Sequence, residues 1–260
     1  MRPIEICPDI FWVGVNDRST ELFEGLWPIQ NVGVSYNSYL IRDEKTALVD
    51  LSKENFSDDF INQVSELIDL AKLDYIVVNH MEPDHSGVVL RLRELAPKAT
   101  FIGMGKAIAM LKDFYGVEDQ VQVVKHEETL NLGRYTLRFL FTPLVHWPET
   151  MMTYVEDEQL LFSCDAFGSY GALNGKIFDD QTENQRYYEE EALRYYTNIV
   201  AAFSKNVLRA AETLNKYPLK IIAPSHGLVW RKNPMRIIEL YAKWAYYGAE
   251  PETHSEPGVT

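Results

Sequence analysis

A single residue separates the apolar run Tyr75-Ile76-Val77-Val78 from His80-Met81-Glu82-Pro83-Asp84-His85-Ser86-Gly87. The apolar run reads as a buried strand. Helical spacing follows from Gly87 to Leu95, with the helix expected to open at about Gly87. Four groups able to bind a metal, His80, Glu82, Asp84 and His85, therefore crowd one strand-to-helix turn. There their side chains can converge on a point beyond the edge of a sheet. Imidazole and carboxylate donors without thiolate suit zinc, iron or manganese.

The same context recurs three times. His146 follows Leu137 to Val145, Asp165 follows Leu160 to Cys164, and His226 follows Ile221 to Ser225. A site at the carboxyl edge of a sheet requires donors placed in this way. One histidine after a strand is usually structural, but four with three carboxylates form a constellation. Seven ligands are enough for two metals that share one bridging carboxylate.

Further short runs extend the pattern: Ile10 to Val15, Ser38 to Ile41, Thr46 to Val49, Thr100 to Ile102, Tyr135 to Phe141, Met151 to Val155 and Lys220 to Ala223. Between the runs, Asn55 to Leu70, Lys106 to Tyr115 and Glu189 to Leu214 carry one-sided apolar spacing, and the last is expected to be the longest helix. Hairpin-like pairs alternating with amphipathic helices predict a layered α/β fold with mixed sheets. Gly103-Met104-Gly105-Lys106 lacks the spacing of a phosphate loop and reads as a strand-to-helix turn.

A formal net charge of −13 argues against a nucleic-acid groove or an anionic membrane surface as partner. Two cysteines, Cys7 and Cys164, indicate no disulfide framework. No secretory leader is evident, and no apolar stretch approaches the ~20 residues a bilayer span needs. The expectation is a cytoplasmic protein.

The H-x-E-x-D-H run, followed by His146, Asp165 and His226 at these intervals, resembles the diiron domain of the flavodiiron proteins (A-type flavoproteins) of the metallo-β-lactamase superfamily. The likeness covers nearly the whole chain, through WVGV, YNSYLI, ALVD, HWPETM, LFSCDAFGSYGA and PSHG. It implies an αββα sandwich over residues 1–247, with 248–260 as a tail or vestigial linker. It also implies two iron ions, one held by His80, Glu82 and His146 and the other by Asp84, His85 and His226, with Asp165 bridging. Zinc hydrolases of the superfamily carry a second histidine where this chain has Glu82, and a carboxylate there favours a harder, redox-active ion.

The family reduces O2 or NO, and its members continue into a flavodoxin domain that works across a head-to-tail homodimer. This chain is expected to bind no FMN itself. The chain is also similar to oxygen-binding diiron sensors, so the expected function is binding and reduction of O2 to a diiron-peroxo species, read out by a chemotaxis-type signalling protein. The alternative is an O2 or NO reductase fed in trans by a rubredoxin or flavodoxin. A dizinc hydrolase is the third reading.

Where many relatives place a histidine beside the substrate pocket, this chain offers Glu24. A tyrosine of the pocket corresponds to Tyr195 or Tyr196, and the sequence does not choose between them. Glu149, close after His146, is expected to orient a ligand. Cys164 reads as a small buried residue, and His126 and His254 are left outside the site.

Overall fold

In the computed structural model, which describes residues 2–249, the apolar runs become the strands of two packed sheets. The chain opens with eight short strands: β1 (Ile4–Cys7), β2 (Ile10–Trp12), β3 (Val15–Asp17), β4 (Leu22–Phe23), β5 (Trp27–Pro28), β6 (Val34–Tyr36), β7 (Tyr39–Ile41) and β8 (Ala47–Val49). Helices and strands then alternate: α1 (Ser57–Ser65), β9 (Tyr75–Val77), α2 (Pro83–Ser86), α3 (Val89–Leu95), β10 (Thr100–Gly103), α4 (Gly105–Tyr115) and β11 (Val121–Val123). The second half holds β12 (Thr129–Asn131), β13 (Thr136–Phe141), β14 (Met151–Val155), β15 (Leu160–Cys164), α5 (Gln185–Tyr195), α6 (Ser204–Leu214), β16 (Ile221–Pro224) and α7 (Pro234–Ala249).

One sheet has the order β1-β2-β7-β8-β9-β10-β11 and the other β12-β13-β14-β15-β16, while β3-β6 and β4-β5 form small ribbons. Every residue of β7, β8, β14 and β15 is buried, which is why these strands read as continuous apolar runs and do not alternate. The sheets meet where the Tyr39 ring packs on Phe162 at 4.8 Å. Two asparagines tie them together. The Asn37 side chain donates to Pro224 O and Gly227 O, and Thr153 Oγ1 donates to Asn79 Oδ1. Helix α6 turns Val207, Ala210, Ala211 and Leu214 inward at helical spacing and packs on α7.

Topology decides where the donors can go. Strand β14 is antiparallel to both β13 and β15, and β16 is parallel to β15. The carboxyl ends of β13, β15 and β16 therefore share one edge, and His146, Asp165 and His226 leave the sheet together. In the facing sheet β9 runs parallel to β8 and β10, and its carboxyl end carries the His80 turn.

Three local expectations are corrected. Helix formation begins at Pro83, not Gly87, because proline suits the first helical position, so Asp84 and His85 lie within a helical turn. The Glu189–Leu214 stretch is not one helix: a π-turn at Tyr196–Val200 and a 3-10 turn at Ala201–Phe203 separate α5 from α6. Thr197 Oγ1 bonds back to Leu193 O and Arg194 O there, an interaction that bends helices. The longest helix is instead α7. Finally, Ile10 to Val15 divides between β2 and β3, which belong to different sheets.

Helix α7 runs two residues past the domain boundary expected at 247, and residues 250–260 of the expected tail, His254 included, lie outside the described residues. Among the described residues no helix is long and apolar enough to cross a membrane.

Candidate metal centre

Seven donors from five places in the chain meet at the shared strand edge. Each has a defined carrier: His80 and Glu82 the turn after β9, Asp84 and His85 helix α2, His146 the loop after β13, Asp165 the end of β15, and His226 the end of β16. Gly227, at φ +78°, turns the chain back after His226 where a Cβ would collide with Ser169 Oγ.

The donors fall into two groups that could each hold an ion: His80, Glu82, His146 and Asp165 in one, and Asp84, His85 and His226 in the other, with ligand atoms within 4.8 Å of one another in each. Asp165 joins them. Its Oδ2 lies 3.3 Å from His80 Nε2 and 3.0 Å from His146 Nε2, while its Oδ1 lies 2.9 Å from His85 Nε2 and 3.4 Å from His226 Nε2. Glu82 Oε2 sits 3.3 Å from His80 Nε2 and 3.0 Å from His146 Nε2. Asp84 Oδ2 sits 3.2 Å from His85 Nε2 and 3.3 Å from His226 Nε2. One carboxylate thus presents one oxygen to each histidine pair, the disposition of a bridge.

All seven side chains are buried. Both Asp84 oxygens, both His85 ring nitrogens, Asp165 Oδ1 and His226 Nε2 have no hydrogen-bond partner among the described residues. Orphaned buried polar atoms are costly, and a convergent set of them fits a cation.

The electrostatics agree. Burial would lower the His146 pKa, but the Asp165 and Glu82 carboxylates outweigh it and raise it to about 9. His226 is likewise raised to about 10 against burial by Asp165 and Asp84. Glu82 falls to about 2, because His146 and His80 overcome the effect of its burial. The carboxylates demand positive charge in the cluster, and a metal supplies it more compactly than protons.

Outer bonds set two imidazole tautomers. His226 Nδ1 lies 2.7 Å from Ser35 O, and a carbonyl only accepts, so Nδ1 carries the hydrogen and Nε2 keeps its lone pair for the site. His80 Nδ1 lies 2.7 Å from Glu149 Oε1, which also accepts from Met81 N at 3.1 Å. Glu149 is fully buried, and its pKa is lowered because His80 outweighs the burial. Glu149 therefore orients His80, not its chain neighbour His146.

Residues 34–227 match the family described as ODP family beta lactamase. The chain belongs to this family. Among similar proteins, the nitric oxide reductase of Moorella thermoacetica is 41% identical over 247 residues, covering 94% of this chain and 61% of the relative. The anaerobic nitric oxide reductase flavorubredoxin of Salmonella arizonae is 40% identical over 241 residues, covering 91% of this chain and 50% of the relative. Two solved structures superpose closely. Rubredoxin oxygen:oxidoreductase from Desulfovibrio gigas gives a TM-score of 0.90 at 32% identity over 94% of this chain and 62% of that one. The flavodiiron protein from Giardia intestinalis gives 0.89 at 31% identity over 94% and 59%. The chain thus spans between half and three-fifths of the length of the curated relatives named. The expected metallo-β-lactamase-like fold, and the likeness to the diiron domain of flavodiiron proteins, are both borne out.

In this ODP-family chain an aromatic wall closes the Asp84, His85 and His226 side. The rings of Phe23, Tyr36 and Tyr195 lie 5.5, 5.8 and 5.4 Å from that of His226. Tyr195 is fully buried and its hydroxyl has no partner among the described residues. Tyr196, named with it from the sequence, is not brought to the site: its hydroxyl bonds Ser204 Oγ at 2.7 Å and its ring packs on Tyr241 and Trp244 of α7. On the other side, the Trp147 ring edge meets His80 at 5.2 Å and His146 at 6.3 Å.

Glu24 lies in the turn joining β4 to β5 at φ 47°, beside Gly25 at φ 71°. A left-handed conformation costs a non-glycine residue roughly 1–2 kcal/mol. The Glu24 carboxyl is half-buried, and burial together with Asp84 and Glu82 pushes its pKa up to about 7. Cys164 is buried, as expected, and His126 accepts a bond from Phe141 N at the surface.

The sequence reading missed the Phe23 and Tyr36 wall and the buried Asp50, which accepts two bonds from Asn79. For Asp50 a signal was present: it closes ALVD as the ligands close their own strands.

Proposed function

We propose that this chain holds two iron ions and reduces NO or O2 with electrons from a donor in trans, of the rubredoxin or flavodoxin kind. Asp165 carries the reading, because its two oxygens are divided between two histidine pairs. His80, Glu82 and His146 would hold one ion and Asp84, His85 and His226 the other, with Asp165 shared between them. Two irons so placed supply electrons and paired Lewis-acid positions for a diatomic gas.

The protein's own groups do the rest. Phe23, Tyr36 and Tyr195 exclude water from the inner side. The Tyr195 hydroxyl, unpartnered among the described residues, would be free to donate a hydrogen bond to a ligand held there. Glu24, a half-buried carboxyl whose hold on its proton is strengthened first by burial, is placed to relay protons toward the site. Both reactions consume protons as well as electrons, so this pair matches the need.

The reductase takes precedence over the oxygen sensor because the relatives named above are described as nitric oxide reductases, an oxygen:oxidoreductase and a flavodiiron protein. None of them is described as a sensor, and a chemotaxis-type partner gains no support from them. The test is gas consumption by iron-loaded protein with reduced rubredoxin under anaerobic mixing. Catalytic loss of NO or O2 is expected. Stoichiometric uptake with no turnover would favour the sensor, and inertness to both gases would refute both readings.

A further inference from the structure

The ligand turn is held from behind by a hydrogen-bonded pair outside the metal centre. Ser86 Oγ lies 2.9 Å from Met81 O, 3.0 Å from Glu82 O and 2.9 Å from the Tyr115 hydroxyl. A serine hydroxyl has one hydrogen, and carbonyls only accept. That hydrogen therefore goes to the carbonyl pair, and Tyr115 must be the donor to Ser86. The two carbonyls belong to the peptide units on either side of the Glu82 Cα, so this relay sets both planes from which the Glu82 side chain departs.

Among the described residues the Ser86 hydroxyl is the one side chain that bonds both of these carbonyls. Helix α2 is four residues long with no side-chain cap at Glu82, and one helical turn is marginal by itself. Met81 N donates to Glu149 Oε1 at 3.1 Å, His85 N to Glu82 O at 2.9 Å and Leu51 N to His85 O at 3.0 Å, and Gly87 fits closely, where a Cβ would stand 2.5 Å from Glu54 N. Tyr115 reaches in from the last residue of α4 and lines an open surface cleft with Leu90 and Arg91.

We propose that Tyr115 is a positioning residue: through Ser86 it sets the backbone of Glu82, and so the aim of that carboxylate at the ion shared with His80 and His146. The inference rests on the ligand reading above, and not on which gas is reduced.

The test is titration of metal-free protein with Co2+ against a competing chelator, reading affinity and the visible Co2+ spectrum. Tyr115→Phe should weaken one of two ions about tenfold and shift its spectrum, leaving the other unchanged. Ser86→Ala should do the same, and the double variant should be no weaker than Ser86→Ala alone. Tyr217→Phe, which removes a surface bond to Glu127, serves as the control and should leave both affinities intact. Parental affinities and spectrum in Tyr115→Phe, whatever its melting temperature, would overturn the inference, as would equal weakening of both ions. A parent that takes up no Co2+ would overturn the ligand assignment, and this inference with it.

Discussion

Glu149 Oε1 lies 2.7 Å from His80 Nδ1, joining the loop after β13 to the turn after β9 across the two sheets. The bond directs the His80 Nε2 lone pair at the site and makes the imidazole a stronger donor. Glu149→Ala is expected to lower affinity for the ion at His80 about 10- to 100-fold. Glu149→Gln, which keeps an acceptor oxygen, should lose less. Chelator competition on the purified variants measures both.

The two adjacent tyrosines should behave in opposite ways. Tyr195→Phe removes a buried hydroxyl without a partner, so stability should hold or rise slightly. Gas reduction should nevertheless fall, by about 100-fold if the hydroxyl stabilises developing charge. Tyr196→Phe breaks the bond to Ser204 and should cost about 1 kcal/mol while leaving turnover intact. Thermal unfolding beside steady-state gas consumption separates the two effects.

Helical spacing could not distinguish these residues from each other. Neighbours on a helix point about 100° apart, and aromatic positions on both sides of Tyr196 fit one continuous helix. The π-turn, with Thr197 bonding back to Leu193 and Arg194, sends Tyr195 toward His226 and Tyr196 toward α7, and that bonding exists only in the folded chain. The ligands were legible for the opposite reason. Each follows an apolar run in sequence, and strand directions bring those run ends to one edge. The Glu149–His80 pair spans 69 residues and the His226–Ser35 bond 191, so no local pattern assigns either partner.

Glu24 provides a pH signature. Its pKa is raised in the folded protein from 4.5 to about 7 by burial first, then by Asp84 and Glu82. The folded state binds this proton more tightly than the unfolded state does. The resulting stabilisation is complete below about pH 4.5 and is lost as pH rises through 7. In metal-free protein Glu24→Gln should match the parent at low pH and exceed it above pH 7, by about 1 kcal/mol after allowance for screening. That corresponds to roughly 2–4 °C in melting temperature. Parallel stability curves for parent and variant across this range would contradict the assignment.

The two groups of donors predict selective ion loss. His85→Ala or His226→Ala should empty the inner position and leave the ion at His80, Glu82 and His146 in place, with gas reduction abolished. Replacing His146 should first empty the position shared with His80 and Glu82. Metal analysis of the variants, prepared under one protocol, checks this, and retention of both ions with normal turnover would refute the division.

The most direct test of the whole account is iron content and Mössbauer spectroscopy of the anaerobically prepared parent protein. Two magnetically coupled irons per chain in the parent, and loss of iron from Asp165→Ala, is the predicted result. A single ion per chain, or two zinc ions inert to O2 and NO, would contradict it.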